Sequence, residues 1–295
     1  MQQHSDTRVQ SLTLLIILSL IWGTSFILMK KGLVVFSPPE LGALRVATAA
    51  LFLAPIALTK LRGLGMNHLG KLLTSGLLGI FFPAFLFAFA QTRLSSSVAG
   101  ILNTLTPIFT LVIGVIAFGQ LFRRQAIVGI AAGLAGSFLL VTANTNGSVS
   151  GVNAYAFLVI LACVFYATNL NFIKYRIADL DAITITSVSL LLIGPVAILY
   201  LVGFTPFIPT MQNAPGAWEA FGYVALLGFM GTSLATVLFN KLVKISTPLY
   251  TSSVTYLIPV VAVFWGVVDG ERLLPGHLIG MVAIVSGVYL ANRKP

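Results

Sequence analysis

The chain is divided into long apolar runs separated by short clusters of charged residues. An α-helix needs about 20 predominantly apolar residues to cross the hydrocarbon core of a bilayer. Ten runs of about this length can be marked: 12–29, 41–59, 72–91, 96–118, 125–143, 153–173, 183–203, 220–239, 247–268 and 275–291. Only 8% of the residues are charged, against about 25% in a typical soluble domain. These features predict an all-α integral membrane protein with ten transmembrane helices, whose surroundings are the lipid bilayer.

The placement of lysine and arginine predicts the orientation of these helices, because cytoplasmic loops of membrane proteins are enriched in both. With the N-terminus inside, 12 of the 17 basic residues fall in cytoplasmic connections and four in external ones. Both termini are therefore expected in the cytoplasm, in a multi-pass protein of the plasma (inner) membrane. The net charge of +10 does not indicate nucleic-acid binding, because the basic residues form no continuous stripe.

Short similarities between the two halves of the chain indicate an internal repeat. Residues 77–79 and 226–228 both read LLG, and Thr106-Pro107 resembles Ile258-Pro259. Five apolar runs fall in residues 1–145 and five in residues 146–295, which we expect to be two five-helix repeats. An odd number of spans in each repeat places the second copy upside down in the membrane. Inverted repeats are typical of transporters, with the substrate site near the midplane where the repeats meet.

Several motifs make the chain resemble a known transporter family. The motifs are Trp22-Gly23-Thr24-Ser25-Phe26, Lys30-Lys31, Pro38-Pro39, Arg45, Thr106-Pro107 and Asp269-Gly270-Glu271-Arg272-Leu273. In this order they resemble the EamA-type branch of the drug/metabolite transporter superfamily, over residues 11–291. Two positions differ from the usual family pattern, namely Gly119-Gln120-Leu121 and Phe165-Tyr166. The resemblance implies a ten-helix exporter built from two inverted five-helix repeats.

Ionisable groups are almost absent from the predicted membrane interior. Arg45 is the one such residue clearly inside a span, whereas every aspartate, glutamate and histidine lies at a helix end or in a loop. Without a midplane carboxylate or histidine, obligatory proton exchange is not expected. Neither a metal-ligand cluster nor a catalytic constellation can be found in the sequence, so we expect no enzyme, no metal and no cofactor. One cysteine, Cys163, excludes an internal disulfide.

Polar residues at predicted midplane depth cluster around two prolines in corresponding helices. Helix-interior prolines free the carbonyl four residues earlier, and paired helix interruptions indicate a transporter site. Pro107 and Pro259 are therefore candidate hinges. The candidate substrate-binding residues are Trp22, Ser25, Asn103, Thr104, Tyr166, Asn169, Thr232, Ser233, Thr255 and Tyr256. The alternative that such polar groups only join neighbouring helices stays open.

Arg45 is a candidate gate residue near the external face, either paired with Glu40, Glu219, Asp269 or Glu271, or attracting a substrate carboxylate. It could instead extend its charge outward to the interface. The sequence as a whole predicts alternating access through a central uncharged cavity, with export of small neutral or zwitterionic metabolites such as amino acids. A multidrug or other metabolite permease, whether proton-coupled or an importer, and a channel are the alternatives. Assembly as a homodimer also stays open.

Overall fold

The computed structural model describes residues 2–94, 96–121, 124–142, 154–268 and 275–292, and these residues are predominantly helical. The first half contains α1 (Gln2–Gly32), α2 (Pro38–Leu61), α3 (Met66–Gly76), π1 (Leu77–Phe81), α4 (Phe82–Ala90), α5 (Ser96–Asn103), α6 (Thr106–Phe118) and α7 (Arg124–Thr142). The second half contains α8 (Ala156–Arg176), α9 (Ala182–Phe204), α10 (Phe207–Asn213), α11 (Ala217–Leu226), π2 (Leu227–Leu234), α12 (Ala235–Ile245), α13 (Pro248–Ser252), α14 (Val254–Val268) and α15 (Pro275–Asn292). The expectation of an all-α protein is confirmed for the described residues.

Six helical segments in the described part of the chain are long and apolar enough to cross a membrane. They are Val9–Gly32, Pro38–Leu61, Met66–Ala90, Ala156–Arg176, Ala182–Phe204 and Ala217–Ile245. Three further apolar helices are shorter, namely Thr106–Phe118, Ala126–Gly136 and Leu278–Gly287. Long apolar helices satisfy every backbone polar group within the segment, which the hydrocarbon core of a bilayer demands. The protein is therefore an integral membrane protein.

Two of the long segments contain a π-helical stretch in place of regular α-helix. π1 joins α3 to α4, and π2 joins α11 to α12. Short π segments inside α-helices are rare and frequently occur at functional sites. π1 begins with the LLG sequence that is repeated between the halves, and π2 begins at the second leucine of the other copy, Leu227.

Glycines allow α7 and α15 to pack backbone against backbone. A Cβ atom added to Gly287 would lie 2.4 Å from the Gly133 nitrogen and 2.7 Å from the Gly129 oxygen. One added to Gly136 would lie 2.7 Å from the Ile284 nitrogen. Such close approach is typical of small-residue interfaces in membranes. We refer to this contact between α7 and α15 as the glycine seam.

Buried polar side chains fasten the end of α6 to α8. Asn171 donates through Nδ2 to the carbonyl oxygens of Thr110 and Ala167, both at 3.0 Å. Its Oδ1 accepts a 2.6 Å hydrogen bond from Gln120 Nε2. Gln120 follows Gly119, whose positive φ of 63° ends α6 in the left-handed conformation that glycine adopts readily. Every hydrogen-bonding group of the Asn171 amide is thus used within the protein.

Two lysines connect the C-terminal ends of α8 and α12. Lys174 Nζ donates to three carbonyl oxygens beyond the middle of α12, those of Val243, Lys244 and Ser246, at 3.0, 3.2 and 2.6 Å. Lys244 Nζ donates in turn to the carbonyl oxygens of Ala178 and Leu180. The last carbonyls of a helix have no partner within the helix, so Lys174 supplies donors at the end of α12, and Lys244 supplies them to the connection that follows α8.

Candidate functional site

A central cavity of about 110 Å³ lies between the two halves of the chain. This volume is several times the roughly 10–15 Å³ that a single water molecule needs. The described lining residues are Trp22, Ser25, Phe26, Met29, Arg45, Gly79, Ile80, Phe87, Asn103, Thr106, Tyr166, Asn169, Leu170, Gly231, Thr232, Thr236, Phe239, Asn240, Ser252, Val254, Thr255 and Ile258. They come from both halves and include residues of both π segments and residues that flank the helix interruptions.

Eight of the residues predicted from the sequence meet at this cavity. They are Trp22, Ser25, Arg45, Asn103, Tyr166, Asn169, Thr232 and Thr255. Trp22 is held in place by a 2.9 Å hydrogen bond from its indole nitrogen to the Gly231 carbonyl oxygen in π2. Its ring also meets Phe239 edge to face, with the ring centroids 5.1 Å apart. A tryptophan anchored in this way forms a fixed wall of the cavity.

Arg45 gives the cavity a positive charge, so the prediction of an uncharged lining is wrong. The Arg45 Nε donates a 2.7 Å hydrogen bond to Thr232 Oγ1, from α2 to π2. No aspartate or glutamate occurs among the described lining residues. The two ion pairs in the described part of the chain are Lys60–Asp181 at 3.3 Å and His68–Asp179 at 2.8 Å.

The predicted gate between Arg45 and an external carboxylate is also not formed with either described partner. Glu40 Oε2 accepts a 2.6 Å hydrogen bond from Ser37 Oγ, and its Oε1 accepts from Thr210 Oγ1 at 3.2 Å. Glu219 Oε1 accepts a 2.7 Å hydrogen bond from the Tyr223 hydroxyl. Asp269 and Glu271, the other two predicted partners, lie outside the described residues. The Arg45 side chain lines the cavity instead, where the hydrogen bond to Thr232 of π2 holds it.

Two lining asparagines carry a buried oxygen atom without a hydrogen-bond partner in the described structure. These atoms are Asn169 Oδ1 and Asn240 Oδ1. Asn240 Nδ2 donates at 2.8 Å to Thr186 Oγ1, and the Asn169 amide packs directly on Gly79 of π1. Leaving a buried acceptor unpaired costs about 1–3 kcal/mol. Such an arrangement is uncommon for purely structural residues.

The helix interruption in the first half lies at the predicted position. Thr104 and Leu105 separate α5 from α6, and Pro107 is the second residue of α6. The Asn103 carbonyl oxygen accepts a 2.8 Å hydrogen bond from Thr106 Oγ1. A threonine hydroxyl thereby replaces the backbone donor that proline lacks.

The corresponding interruption in the second half lies elsewhere than predicted. Ser253 separates α13 from α14, whereas Pro259 lies six residues further along, inside α14. The break therefore does not coincide with Pro259, and the role of this proline as a hinge stays a prediction. The cavity is lined on both sides of the break, by Ser252 and by Val254 and Thr255.

Three of the ten predicted substrate-binding residues do not reach the cavity. The Tyr256 side chain is fully buried and packs on Gly133 of the glycine seam, with its ring carbons 3.1 Å from a Cβ position at Gly133. Ser233 donates to the Ala49 carbonyl oxygen at 3.0 Å, and Thr104 is fully buried. The sequence predicts that Tyr256, Ser233 and Thr104 bind substrate, but none of the three belongs to the described lining of this cavity.

Sequence reasoning missed Asn240 and Gly79 as parts of the site. Asn240 lies one residue beyond the predicted span 220–239, directly before Lys241. Gly79 is the third residue of the first LLG sequence, and this repeat was the one signal that could have identified it. Because Gly79 has no side chain, the Asn169 amide can pack against the π1 backbone.

The carboxylates in the loops have local partners of their own. A hydrogen bond from His68 lowers the pKa of the Asp179 carboxyl below its ordinary value. Burial tends to raise the pKa of Asp181, but hydrogen bonds from Thr184 and Lys60 outweigh it and give a net lowering. Both carboxyls are thus stabilised as anions at neutral pH, outside the cavity. Within the described residues, no group of three or more His, Cys, Asp or Glu side chains is placed to hold a metal ion.

Comparison with known proteins gives consistent matches over nearly the whole chain. The sequence profile described as the EamA-like transporter family matches residues 10–142 and again residues 153–293. An Escherichia coli K12 protein named "Uncharacterized inner membrane transporter YedA" is 27% identical over 290 residues, which cover 94% of this chain and 91% of the relative. A Salmonella typhimurium protein named "Probable amino-acid metabolite efflux pump" is 24% identical over 296 residues, with 94% and 93% covered. One crystal structure superposes with a TM-score of 0.73 at 19% identity, over 96% of both chains, and supports the fold.

Proposed function

The chain belongs to the EamA-like transporter family, and on this premise we propose that it exports small neutral or zwitterionic metabolites through the central cavity. Transport would proceed by alternating access, with the cavity open to one side of the membrane at a time. The observation that carries the proposal is a cavity lined by both halves, at two helix interruptions, with buried polar atoms that lack protein partners. Irregular backbone at membrane depth is tolerated where it lines such a cavity.

Export is the favoured direction because one relative with a functional name is described as an efflux pump for amino-acid metabolites. The apolar part of the lining, which includes Phe26, Met29, Phe87 and Ile258, suits a solute with an aliphatic or aromatic portion. A small solute in such a pocket is oriented by a few polar groups and buried by the apolar ones.

We further propose ten membrane spans arranged as two inverted repeats, residues 1–145 and 146–295. In this arrangement α5 with α6, and α13 with α14, each form one interrupted span. α7 and α15 complete the two repeats. Support comes from the two successive matches of the family profile and from the π segments at corresponding places in the halves.

The cytoplasmic location of both termini can be tested by cysteine labelling. A cysteine at Gln212, in α10, is expected to react with an impermeant thiol reagent added to intact cells. One at Gly65, between α2 and α3, should react only after permeabilisation. The native Cys163 is fully buried and should give little background. Labelling of the Gly65 variant in intact cells would reverse the proposed orientation.

Transport itself is tested in proteoliposomes with radiolabelled amino acids and common metabolites. We expect an outward solute gradient alone to drive flux, and unlabelled solute on the opposite side to stimulate exchange. An imposed pH gradient should not concentrate solute, because no described lining residue is a carboxylate or histidine. Uphill accumulation that follows the pH gradient would show proton coupling, and Glu219 would be the first residue to examine. No flux of any solute tested would refute the proposed function.

A further inference from the structure

We infer that two groups of polar contacts between the halves of the chain are the gates of the central cavity, one on each face of the membrane. The inner clasp is formed by Lys60, His68, Asp179 and Asp181, and the outer clasp by Lys31, Glu219 and Tyr223. Each clasp holds the cavity closed on its own side, and transport requires the two to open in turn. This inference rests on the proposed transport function and on the proposed arrangement of the helices.

The inner clasp joins the region between α2 and α3, in the first half, to the connection between α8 and α9, in the second half. Lys60 Nζ lies 3.3 Å from Asp181 Oδ2, and His68 Nε2 lies 2.8 Å from Asp179 Oδ2. Lys60 is in the last turn of α2 and His68 in the first turn of α3. Both ion pairs in the described part of the chain therefore lie at one junction between the halves.

A buried apolar cluster fills the space between the cavity and the inner clasp. Leu170 belongs to this cluster and also lines the cavity, and Phe239 packs against the cluster and lines the cavity too. At the other end of the cluster, Ile177 is fully buried in the α8–α9 connection, and Leu64 packs against it from the α2–α3 connection. The clasp thus holds together the two connections that cover the cluster.

The second-half side of the inner clasp is firmly attached to a wall of the cavity. Lys244 of α12 donates to the carbonyl oxygens of Ala178 and Leu180, which are the neighbours of the clasp carboxylates in the chain. α12 also carries Phe239 and Asn240, which line the cavity. When the clasp opens, the α8–α9 connection and α12 can therefore move as one body away from the first half. Movement of one repeat against the other is the usual form of alternating access in such transporters.

The outer clasp occupies the corresponding place when the two halves are exchanged. Lys31, in the last turn of α1, has its Nζ 4.9 Å from the centre of the Tyr223 ring and 3.5 Å from the hydroxyl oxygen, and that hydroxyl donates to Glu219 at 2.7 Å. Tyr223 and Glu219 are in α11. α11 is the counterpart of α3, since each leads into a π segment. α1 and α8 lie near the start of the two family matches, 10–142 and 153–293. In the proposed topology, the same pair of elements therefore meets on opposite faces.

Contacts of this kind are weak enough for a gate that must open. The four side chains of the inner clasp are between 32% and 60% exposed. Exposed ion pairs contribute little to stability, because water competes for both partners. A protein that alternates between two conformations needs both within a few kcal/mol of each other. A few exposed pairs at each face can decide which conformation is populated without locking it.

The rate at which a cysteine in the cavity is labelled tests the gates directly. The reporter is Thr236→Cys, at a position that lines the cavity, and an impermeant maleimide is applied to right-side-out and to inside-out vesicles. His68→Glu places a second carboxylate beside Asp179 and should raise labelling from the cytoplasmic side about 2- to 10-fold, the range for losing an exposed ion pair to a repulsion. Labelling from the outside should not rise. Adding Asp179→Lys to His68→Glu restores an ion pair of reversed sign and should restore the wild-type rate.

A variant of the outer clasp should have the opposite effect. Lys31→Glu places a negative charge near Glu219, so labelling should rise from the outside and not from the cytoplasmic side. Arg62→Gln is the matched control, because Arg62 is exposed between α2 and α3 and belongs to neither ion pair of the described residues. Its labelling should equal that of wild type from both sides. Opposite effects of the two clasp variants would exclude a general loosening of the fold.

A reversible cross-link distinguishes a gate from a contact that never opens. His68→Cys and Asp179→Cys are combined and joined with a short bis-methanethiosulfonate reagent, which forms reducible disulfides. Counterflow in proteoliposomes should stop on cross-linking and return on reduction. Continued transport by the cross-linked protein overturns the inference, as does a His68→Glu variant labelled at the wild-type rate from both sides.

Two further outcomes separate the gates from the proposals beneath them. If His68→Glu raises labelling from the outside and Lys31→Glu from the cytoplasmic side, the two gates are supported and only the proposed orientation is reversed. If the wild-type protein transports no solute, the proposed function fails. The labelling rates still decide whether each clasp closes the cavity on its own side.

Discussion

Replacing Asn169 with leucine is expected to reduce transport by at least about tenfold while leaving the protein as stable as wild type or more so. The Asn169 Oδ1 is buried without a partner in the described structure, so removing it eliminates a desolvation cost and breaks no bond to that atom. Replacing an unpaired polar group by an apolar one of similar shape is neutral or stabilising. Leucine, however, offers no hydrogen-bond acceptor to a solute in the cavity, so transport should fall. The measurements are counterflow and thermal unfolding on the same preparation.

Asn171 is the matched control, because it is the same residue type two positions further along α8. Its amide makes three hydrogen bonds, to Thr110, Ala167 and Gln120. Asn171→Leu should therefore lower the free energy of unfolding by about 1–3 kcal/mol, with transport per folded molecule unchanged. If instead Asn169→Leu destabilised the protein and kept transport, Asn169 would be a structural residue and the cavity would have been assigned wrongly.

Replacing Gly287 with alanine is expected to destabilise the protein although only one methyl group is added. The new Cβ would overlap the backbone of α7 at the glycine seam, and backbone atoms cannot rotate away as a side chain can. The two helices must separate, which also disturbs the packing of Tyr256 on Gly133. Overpacking typically costs about 1–3 kcal/mol. Thermal unfolding in detergent measures the effect.

Gly222→Ala makes the same chemical change, but we expect it to leave the stability of the protein unchanged or to raise it. Gly222 lies inside α11, and a Cβ there would have no atom within 4 Å. Alanine in a helix interior is favoured over glycine by about 0.5–1 kcal/mol, so this variant should be at least as stable as wild type. A Gly287→Ala protein as stable as the Gly222→Ala protein would mean that α7 and α15 are not in direct backbone contact.

Most helices of this fold were predictable from the sequence, because a long apolar run identifies a membrane helix. It was much harder to predict which face of each helix is turned toward the interior of the protein. In water, an apolar stripe marks the buried face of a helix, but lipid tails are as apolar as a protein core, and this contrast disappears. Tyr256 was assigned to the cavity from its neighbours in sequence, whereas it faces the glycine seam. Arg45 was assigned to the external face, whereas it lines the cavity.

The helix interruptions were predictable only in part. Proline reliably ends the preceding α-helix when it occupies the first turn of the next one, as Pro107 does. At Pro259 the helix continues through the proline, and the break falls at Ser253. Neighbouring groups in the fold decide between these outcomes, and they are not visible in the local sequence. The same holds for π1 and π2, whose residues would fit an α-helix equally well.

The π segments bear on how the gene for this protein can change. Each residue of an α-helix turns the chain by about 100°, so a one-codon deletion within a regular helix rotates everything beyond it onto a different face. The wider turns of π1 and π2 set the rotation of the helices that follow them, α4 and α12. With this rotation, Phe87 of α4 and Phe239 of α12 line the cavity. Deleting one codon in a π segment would convert it to regular α-helix and rotate Phe87 or Phe239 away from the cavity. Single-codon deletions in π1 and π2 should therefore be rare among natural variants.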